Sequence, residues 1–361
     1  MAEATHSMTA AEVLVQGGPA VGLAGTIASW PAGATLAERL AANPYLMAPM
    51  AGVTNDAYRI MMRAGGAALA YTEMVSVAGL HYGGEATWDL IEPDAAEPEV
   101  AVQLFGSKPE LFGEAARAVR ERLGGRLALL DINMACPVRK VVTKGEGCAL
   151  MDDPLLAMRI VSACAEAVDV PVTVKIRSAR RAGRVEAPAF AEAMVEAGAQ
   201  AVAVHGRFAT QLYHGDASWD VVREVVEAVD VPVIGSGDVR DAATAARMRE
   251  ETGCAAVFVA RGSYGNPWVF GDARTIAAGG DVPELPSALR RIDAFELHVR
   301  LLAATGSHML RGRTLAGWYL KGLPHASTWR DRAMGCSTLD DFLRLADAVR
   351  GLVEGDAEPA R

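Results

Sequence analysis

Chemistry first becomes possible at Cys136. It sits in Leu130-Asp131-Ile132-Asn133-Met134-Ala135-Cys136-Pro137-Val138-Arg139-Lys140, after an apolar run that begins at Leu127. Pro137 biases the residue before it toward an extended backbone, so the run should stop there with the thiol on a loop. Free cysteines are commonly small buried hydrophobes. One placed on a loop beside cations can instead exchange a proton. The local sequence leaves both readings open.

Groups of matching character recur at the ends of other apolar runs. Gln103 lies in Val100–Phe105, Lys175 and Arg177 close Val172–Arg177, and His205 closes Ala201–His205 with Arg207 just beyond. Each has a bland reading: a satisfied amide, an ion-paired or snorkelling lysine, a core histidine. Two later turns carry glycine, Gly235-Ser236-Gly237-Asp238 and Ala260-Arg261-Gly262-Ser263. Backbone N–H groups in such turns, and the helix starts that follow, can cradle a phosphate. One glycine turn is weak evidence; two at neighbouring runs are stronger. A phosphate grip together with Gln103, Lys175 and His205 suits a phosphorylated ring cofactor such as FMN, and by residue type alone suits a sugar phosphate equally.

These groups need a scaffold that brings strand ends together. Apolar runs recur at Leu46–Met50, Leu69–Thr72, Val100–Phe105, Leu127–Asn133, Val172–Arg177, Ala201–His205, Val231–Gly235 and Ala256–Arg261. Amphipathic helical spacing fills most intervals, as in Pro109–Leu123 and Asp241–Thr252. Strands alternating with helices imply a parallel sheet buried on both faces. Eight such units predict a closed (β/α)8 TIM barrel, with the polar strand ends meeting at one mouth. The dinucleotide fingerprint GxGxxG is absent after the first run, where Ala48-Pro49-Met50-Ala51-Gly52 stands instead, so a doubly wound sheet is disfavoured. The interval His81–Glu99, with Gly83, Gly84, Pro93 and Pro98, predicts an excursion over the mouth. Beyond Pro283 and Pro286 only helical spacing remains, which predicts a small all-helical C-terminal domain. The expected division is a mobile extension over 1–43, the barrel over 44–280 and the helical domain over 281–361.

Composition bounds the rest. In 361 residues, 51% hydrophobic and 22% charged content is that of a globular chain. No apolar run reaches the roughly 18 residues of a membrane span, and the start lacks a secretory pattern, so a cytoplasmic protein with no membrane association is expected. Cysteines 136, 148, 164, 254 and 336 form no CxxC pair, which argues against a disulfide framework and against a zinc site. A net charge of -9 argues against general coating of nucleic acid but permits a local basic face.

With these motifs in order, the chain resembles the tRNA-dihydrouridine synthases, nearest their bacterial B-type branch. The resemblance rests on Ala48–Asn55, Thr72-Glu73-Met74, Val102–Gly106, Asn133–Pro137, Val172–Arg177, His205-Gly206-Arg207 with Gln211, Tyr213, Gly215 and Trp219, Gly235–Asp238, and Arg261-Gly262 with Gly265–Trp268. It implies FMN across the mouth, with Pro49, Met50 and Ala51 behind its ring. Gln103, Lys175 and His205 would contact the ring; Ser236, Gly237, Asp238, Ala260 and Arg261 would hold the phosphate end. NADPH or NADH would supply electrons, and tRNA would be the substrate. Cys136 would be the proton donor to uracil C5, a general acid rather than a nucleophile, and Asn133, Arg177 and Arg207 would lie on the substrate side. A monomer is expected, with no metal.

The helical tail is where cations for tRNA should gather. Between Arg291 and Arg332 stand Arg291, Arg300, Arg311, Arg313, Lys321, Arg330 and Arg332 against Asp293, Glu296 and Asp331, a local excess of four. Arg139, Lys140, Lys144, Arg180, Arg181 and Arg184 could extend the track. The chain departs from the family pattern at Ala135, Ser236 and Ala260, where Gly, Asn and Gly are usual, and the tail lacks a usual histidine. Two other readings compete: a flavin barrel acting on a small substrate, which needs no basic tail, and a non-enzymatic RNA-binding protein or chaperone, against which Cys136, Lys175 and His205 speak.

Overall fold

The computed structural model describes residues 8–30 and 33–355. Eight parallel strands form the centre: β1 (Tyr45–Met47), β2 (Tyr71–Ser76), β3 (Val100–Phe105), β4 (Leu127–Asn133), β5 (Val172–Arg177), β6 (Ala201–His205), β7 (Val233–Ser236) and β8 (Ala256–Val259). β2 through β8 pair with one another in sequence order, and β1 pairs with β8. A bridge from Met47 to Ala70 joins β1 to the start of β2 and closes the circle. The result is the expected (β/α)8 barrel, followed by a helical region. β7 begins two residues later than its apolar run suggests, because Pro232 has no N–H to give to a ladder. Among the described residues no helix is long and apolar enough to cross a membrane.

Register sorts the lumen into layers. Its floor is apolar, built from Leu46, Tyr71, Leu129, Ala201, Ile234 and Phe258. Above it, Gln103 pairs with Asp131 and Asp131 with Thr173; then Asn133 pairs with Lys175; then Arg177 pairs with His205 and His205 with Ser236. Paired residues on neighbouring parallel strands share a face. The polar side chains are therefore stacked at the C-terminal end of the lumen over an apolar plug.

Two expectations are corrected. Residues 8–30 are not loosely packed. A helix over Ala10–Gly17, closed by a Thr9–Glu12 capping box, buries Val13 and Leu14, and the Val21 carbonyl accepts from Trp268 Nε1 and Arg290 Nε, each at 2.8 Å. The segment is thereby tied to both the barrel and the tail. The interval after β2 does not cover the mouth either. It forms short helices over Val77–His81 and Glu85–Trp88, then descends to the start of β3, anchored by buried Arg59 on Glu97 (2.9 Å) and Arg63 on Glu99 (2.6 Å). Apolar residues of the tail helices Ala288–Ala304, Arg311–Tyr319, Ala326–Met334 and Leu339–Glu354 join one continuous core with the barrel's outer helices. Tyr264 of the barrel stacks on Trp318 of the tail at 4.0 Å.

Candidate active site at the barrel mouth

A cavity of about 800 Å³ occupies the C-terminal mouth. Every residue singled out from the sequence lines it: Pro49, Met50, Ala51, Gln103, Asn133, Cys136, Lys175, Arg177, His205, Arg207, Ser236, Gly237, Asp238, Ala260 and Arg261. They come from seven of the eight strand ends, which only barrel closure brings together.

Lys175 is buried in the wall and makes no hydrogen bond or ion pair among the described residues. Burial, reinforced by the Arg177 charge, lowers its pKa to about 8, against a smaller upward pull from Asp131. An ammonium held without a partner beside a cavity is a ready site for an electron-rich or anionic ligand. His205 is pushed well below its ordinary range by burial and by four nearby cations, Lys175 first. It is neutral at physiological pH. Its Nε2 accepts from Arg207 at 3.2 Å, which leaves the proton on Nδ1 facing elsewhere.

Cys136 is half-buried at the rim. Burial raises its pKa, outweighing a backbone hydrogen bond near Val138 and the cations Arg177 and Lys175. The thiol is thus protonated at neutral pH, while those cations stand ready to stabilise the thiolate it would become. Three ties fix its loop. The Asn133 Oδ1 accepts from the N–H of Ala135 (3.2 Å) and of Cys136 (2.9 Å), the Cys136 carbonyl accepts from Cys148 N–H (3.1 Å), and the Ala135 carbonyl accepts from Arg177 Nε (2.8 Å). Ala135 itself is buried and keeps a negative φ, so its methyl is accommodated where glycine is usual.

The two predicted arginines face inward but are largely engaged. Besides Ala135, Arg177 donates to the carbonyls of Phe208 (3.2 Å) and Leu212 (3.0 Å). Arg207 grips both oxygens of Asp238 at 2.7 and 2.8 Å and the Gly215 carbonyl at 2.6 Å. Burial works against the Asp238 charge, yet the Ala217 N–H and Arg207 together hold its carboxyl below the usual range. Asp238 therefore shapes its turn from within, at a φ of 55°, rather than presenting a free carboxylate. Gly237 has a φ of 116°, and a Cβ there would lie 2.6 Å from Ala217 Cβ and 2.9 Å from the His205 ring. A Cβ on Gly262 would lie 2.6 Å from the Val239 carbonyl, so the two glycine turns abut each other.

Three features escaped the sequence reading. Asp131 is fully buried below Gln103, with its pKa raised by burial to about 6. Its one sequence signal is a charge inside an apolar strand. Gly147 has no Cβ where one would meet the Cys136 carbonyl at 2.7 Å. Arg311 reaches from the tail to the Gly52 carbonyl (2.8 Å) and to Glu73 (3.3 Å), bracing the mouth. That brace narrows the expected cationic track. Arg291, Arg300 and Arg313 are likewise engaged, with the Tyr319 carbonyl, Glu296 and the Cys336 carbonyl. Arg139, Lys140, Lys144, Arg181, Arg184, Lys321 and Arg330 remain exposed.

Fold and site define a (β/α)8-barrel protein with a polar, cationic chamber at its strand ends. The sequence matches the family model described as dihydrouridine synthase over residues 46–352. It is 36% identical to tRNA-dihydrouridine synthase B of Pseudomonas aeruginosa, covering 80% of this chain and 87% of that one. It is 35% identical to tRNA-dihydrouridine synthase B of Xanthomonas campestris pv. campestris, covering 87% and 95%. A probable tRNA-dihydrouridine synthase 1 of Synechocystis is 32% identical over 84% and 85% of the two chains. The chain belongs to the dihydrouridine synthase family and is by that membership an oxidoreductase.

Proposed function

We propose that the chain is a tRNA-dihydrouridine synthase that reduces the C5–C6 double bond of uridines in tRNA, using FMN and NADPH or NADH, with Cys136 giving the proton to C5. The observation that carries the mechanism is the Cys136 thiol: protonated, half-buried and flanked by cations at a mouth whose opposite wall is built from glycine turns. The residues present suit FMN. The cavity falls in the ~300–1,000 Å³ range of small-ligand sites. Lys175 offers an unpaired ammonium, Gly237 and Gly262 keep side chains out of the phosphate turns, and exposed Arg261 adds a cation beside them. Pro49–Ala51 would back the ring, Gln103, Lys175 and His205 would contact it, and Ser236–Asp238 with Ala260 and Arg261 would hold the phosphate. When bound, the flavin supplies the hydride and is replenished by the nicotinamide.

The chain's own part is to hold the base and move one proton. A base in folded tRNA must leave its stack, which costs a few kcal/mol and is offset by pocket and backbone contacts. Asn133 can bind the base edge through its remaining N–H. As the C5 proton leaves Sγ, the developing thiolate is met by Arg177 and Lys175. The helical region 281–361 and the exposed cations near the mouth would seat the tRNA backbone.

Cys136→Ala is expected to keep its flavin and its reduction by NADPH while dihydrouridine formation falls by about 100-fold or more. Mass spectrometry of tRNA digests reads the product. Unchanged product formation would remove Cys136 from this role, and flavin reoxidation indifferent to added tRNA would favour a small substrate.

A further inference from the structure

The lumen holds a directional chain of side-chain hydrogen bonds under the mouth. The Asp131 carboxylate accepts from Thr173 Oγ1 and from Gln103 Nε2, each at 2.6 Å. The Gln103 Oε1 then accepts from Asn133 Nδ2 at 2.8 Å, and the Asn133 Oδ1 accepts from the Cys136 N–H at 2.9 Å. Amides can be placed either way round, because each carries a donor and an acceptor end. An ionised carboxylate is acceptor-only. Asp131 therefore breaks the symmetry: it forces the Gln103 amide N–H downward, which turns the Gln103 oxygen to Asn133 and the Asn133 oxygen to the Cys136 loop. The Asn133 oxygen is filled by two backbone N–H groups, so the face it leaves to the cavity is a donor.

We propose that Asp131 is a positioning residue: from the lumen it sets the polarity of the Gln103–Asn133 relay, which holds the Cys136 loop and leaves Asn133 only a donor for a base carbonyl. Were the relay reversed, Asn133 would turn N–H groups toward the Ala135 and Cys136 N–H groups, and both would lose their acceptor inside a low-dielectric wall. Its bearing on turnover rests on Cys136 being the proton donor; its effect on the loop does not.

The test compares Asp131→Leu, Asp131→Asn and Asn133→Ala in the full-length protein. In Asp131→Asn the new side chain can still accept from Gln103 through its oxygen while its amide donates to the Thr173 hydroxyl, so the relay keeps its direction. Leucine supplies no acceptor. Asn133→Ala removes the acceptor that holds the loop, so it tests that hold even if the leucine variant fails to fold. The first readout is alkylation of Cys136, mapped by mass spectrometry. Losing about one net hydrogen bond at the loop is expected to speed it about tenfold in Asp131→Leu and Asn133→Ala, but not in Asp131→Asn. The second is flavin reoxidation by tRNA, measured near pH 7, between the Asp131 value of about 6 and the Lys175 value of about 8, where both groups are charged. A displaced donor is expected to slow it about 100-fold in Asp131→Leu relative to Asp131→Asn. Unaltered alkylation in a folded Asp131→Leu or in Asn133→Ala overturns the proposal, as does an Asp131→Asn as reactive as the leucine variant. Altered alkylation with unaltered reoxidation keeps the relay and instead overturns Cys136 as the acid.

Discussion

Lys175 and Cys136 divide the work at the mouth by how their surroundings shift them. Both are pushed toward the neutral form by burial, which for the lysine means losing a proton and for the thiol means keeping one. The lysine is therefore the group that titrates nearer neutrality. Its folded value, about 8, lies below that of a free lysine, so the ammonium is present below pH 8 and lost as pH rises through it. If that ammonium holds the flavin, affinity measured by flavin fluorescence should fall as pH rises through about 8. In Lys175→Met the affinity should be weak and nearly flat over the same range. The thiol stays protonated across this window, so the decline is expected in binding before it is seen in proton donation.

At the scale of the element, the loop after β4 depends on a neighbouring turn as much as on its own sequence. Gly147 has a φ of 61°, and a Cβ there would sit 2.7 Å from the Cys136 carbonyl and 3.0 Å from its Cβ. Gly147→Ala should thus strain the backbone and press on the cysteine together. A stability loss of about 1–3 kcal/mol is expected from the left-handed conformation and contact, read by denaturant melts. Reoxidation by tRNA should fall by about 100-fold with flavin content retained, since an ångström of misplacement is costly in proton transfer. The same change at Gly183, also at positive φ but with open space around it, should spare the site.

Across the whole molecule, an acidic chain of net charge -9 must offer its nucleic-acid face by placement rather than by total charge. The structure separates cations that brace the fold from cations that face solvent. Arg291, Arg311 and Arg313 donate to backbone carbonyls, whereas Arg139 and Lys140 stand exposed beside the cysteine loop. Reversing both Arg139 and Lys140 to Glu should weaken tRNA binding by roughly tenfold at moderate salt and flatten the dependence of log Kd on log salt. Arg300→Glu, already paired with Glu296 on the tail, should change it far less. Filter-binding titrations over a salt series distinguish the two. The tail does not hang from the barrel as a separate body: its helices share one core with the barrel's outer helices, and Arg311 reaches the mouth itself.

Eight apolar runs with polar ends were legible in the sequence because strand burial and helix amphipathicity are local patterns, and parallel strands joined by helices leave one way to close. The residues around the mouth followed from that closure, since strand C-termini must meet there. What only the tertiary structure decided is which donors remain free. Arg177 and Arg207 looked like ligand groups, but their partners, Ala135, Phe208, Leu212 and Asp238, arrive from other strand ends. Residues 8–30 looked loose because a short alanine-rich helix carries little periodicity, and its anchors, Trp268 and Arg290, lie more than two hundred residues away. Asp131 looked like an interruption in a strand. Its meaning came only with Gln103, Asn133 and Thr173 beside it, where a group that can accept and not donate sets the direction of every bond up to Cys136.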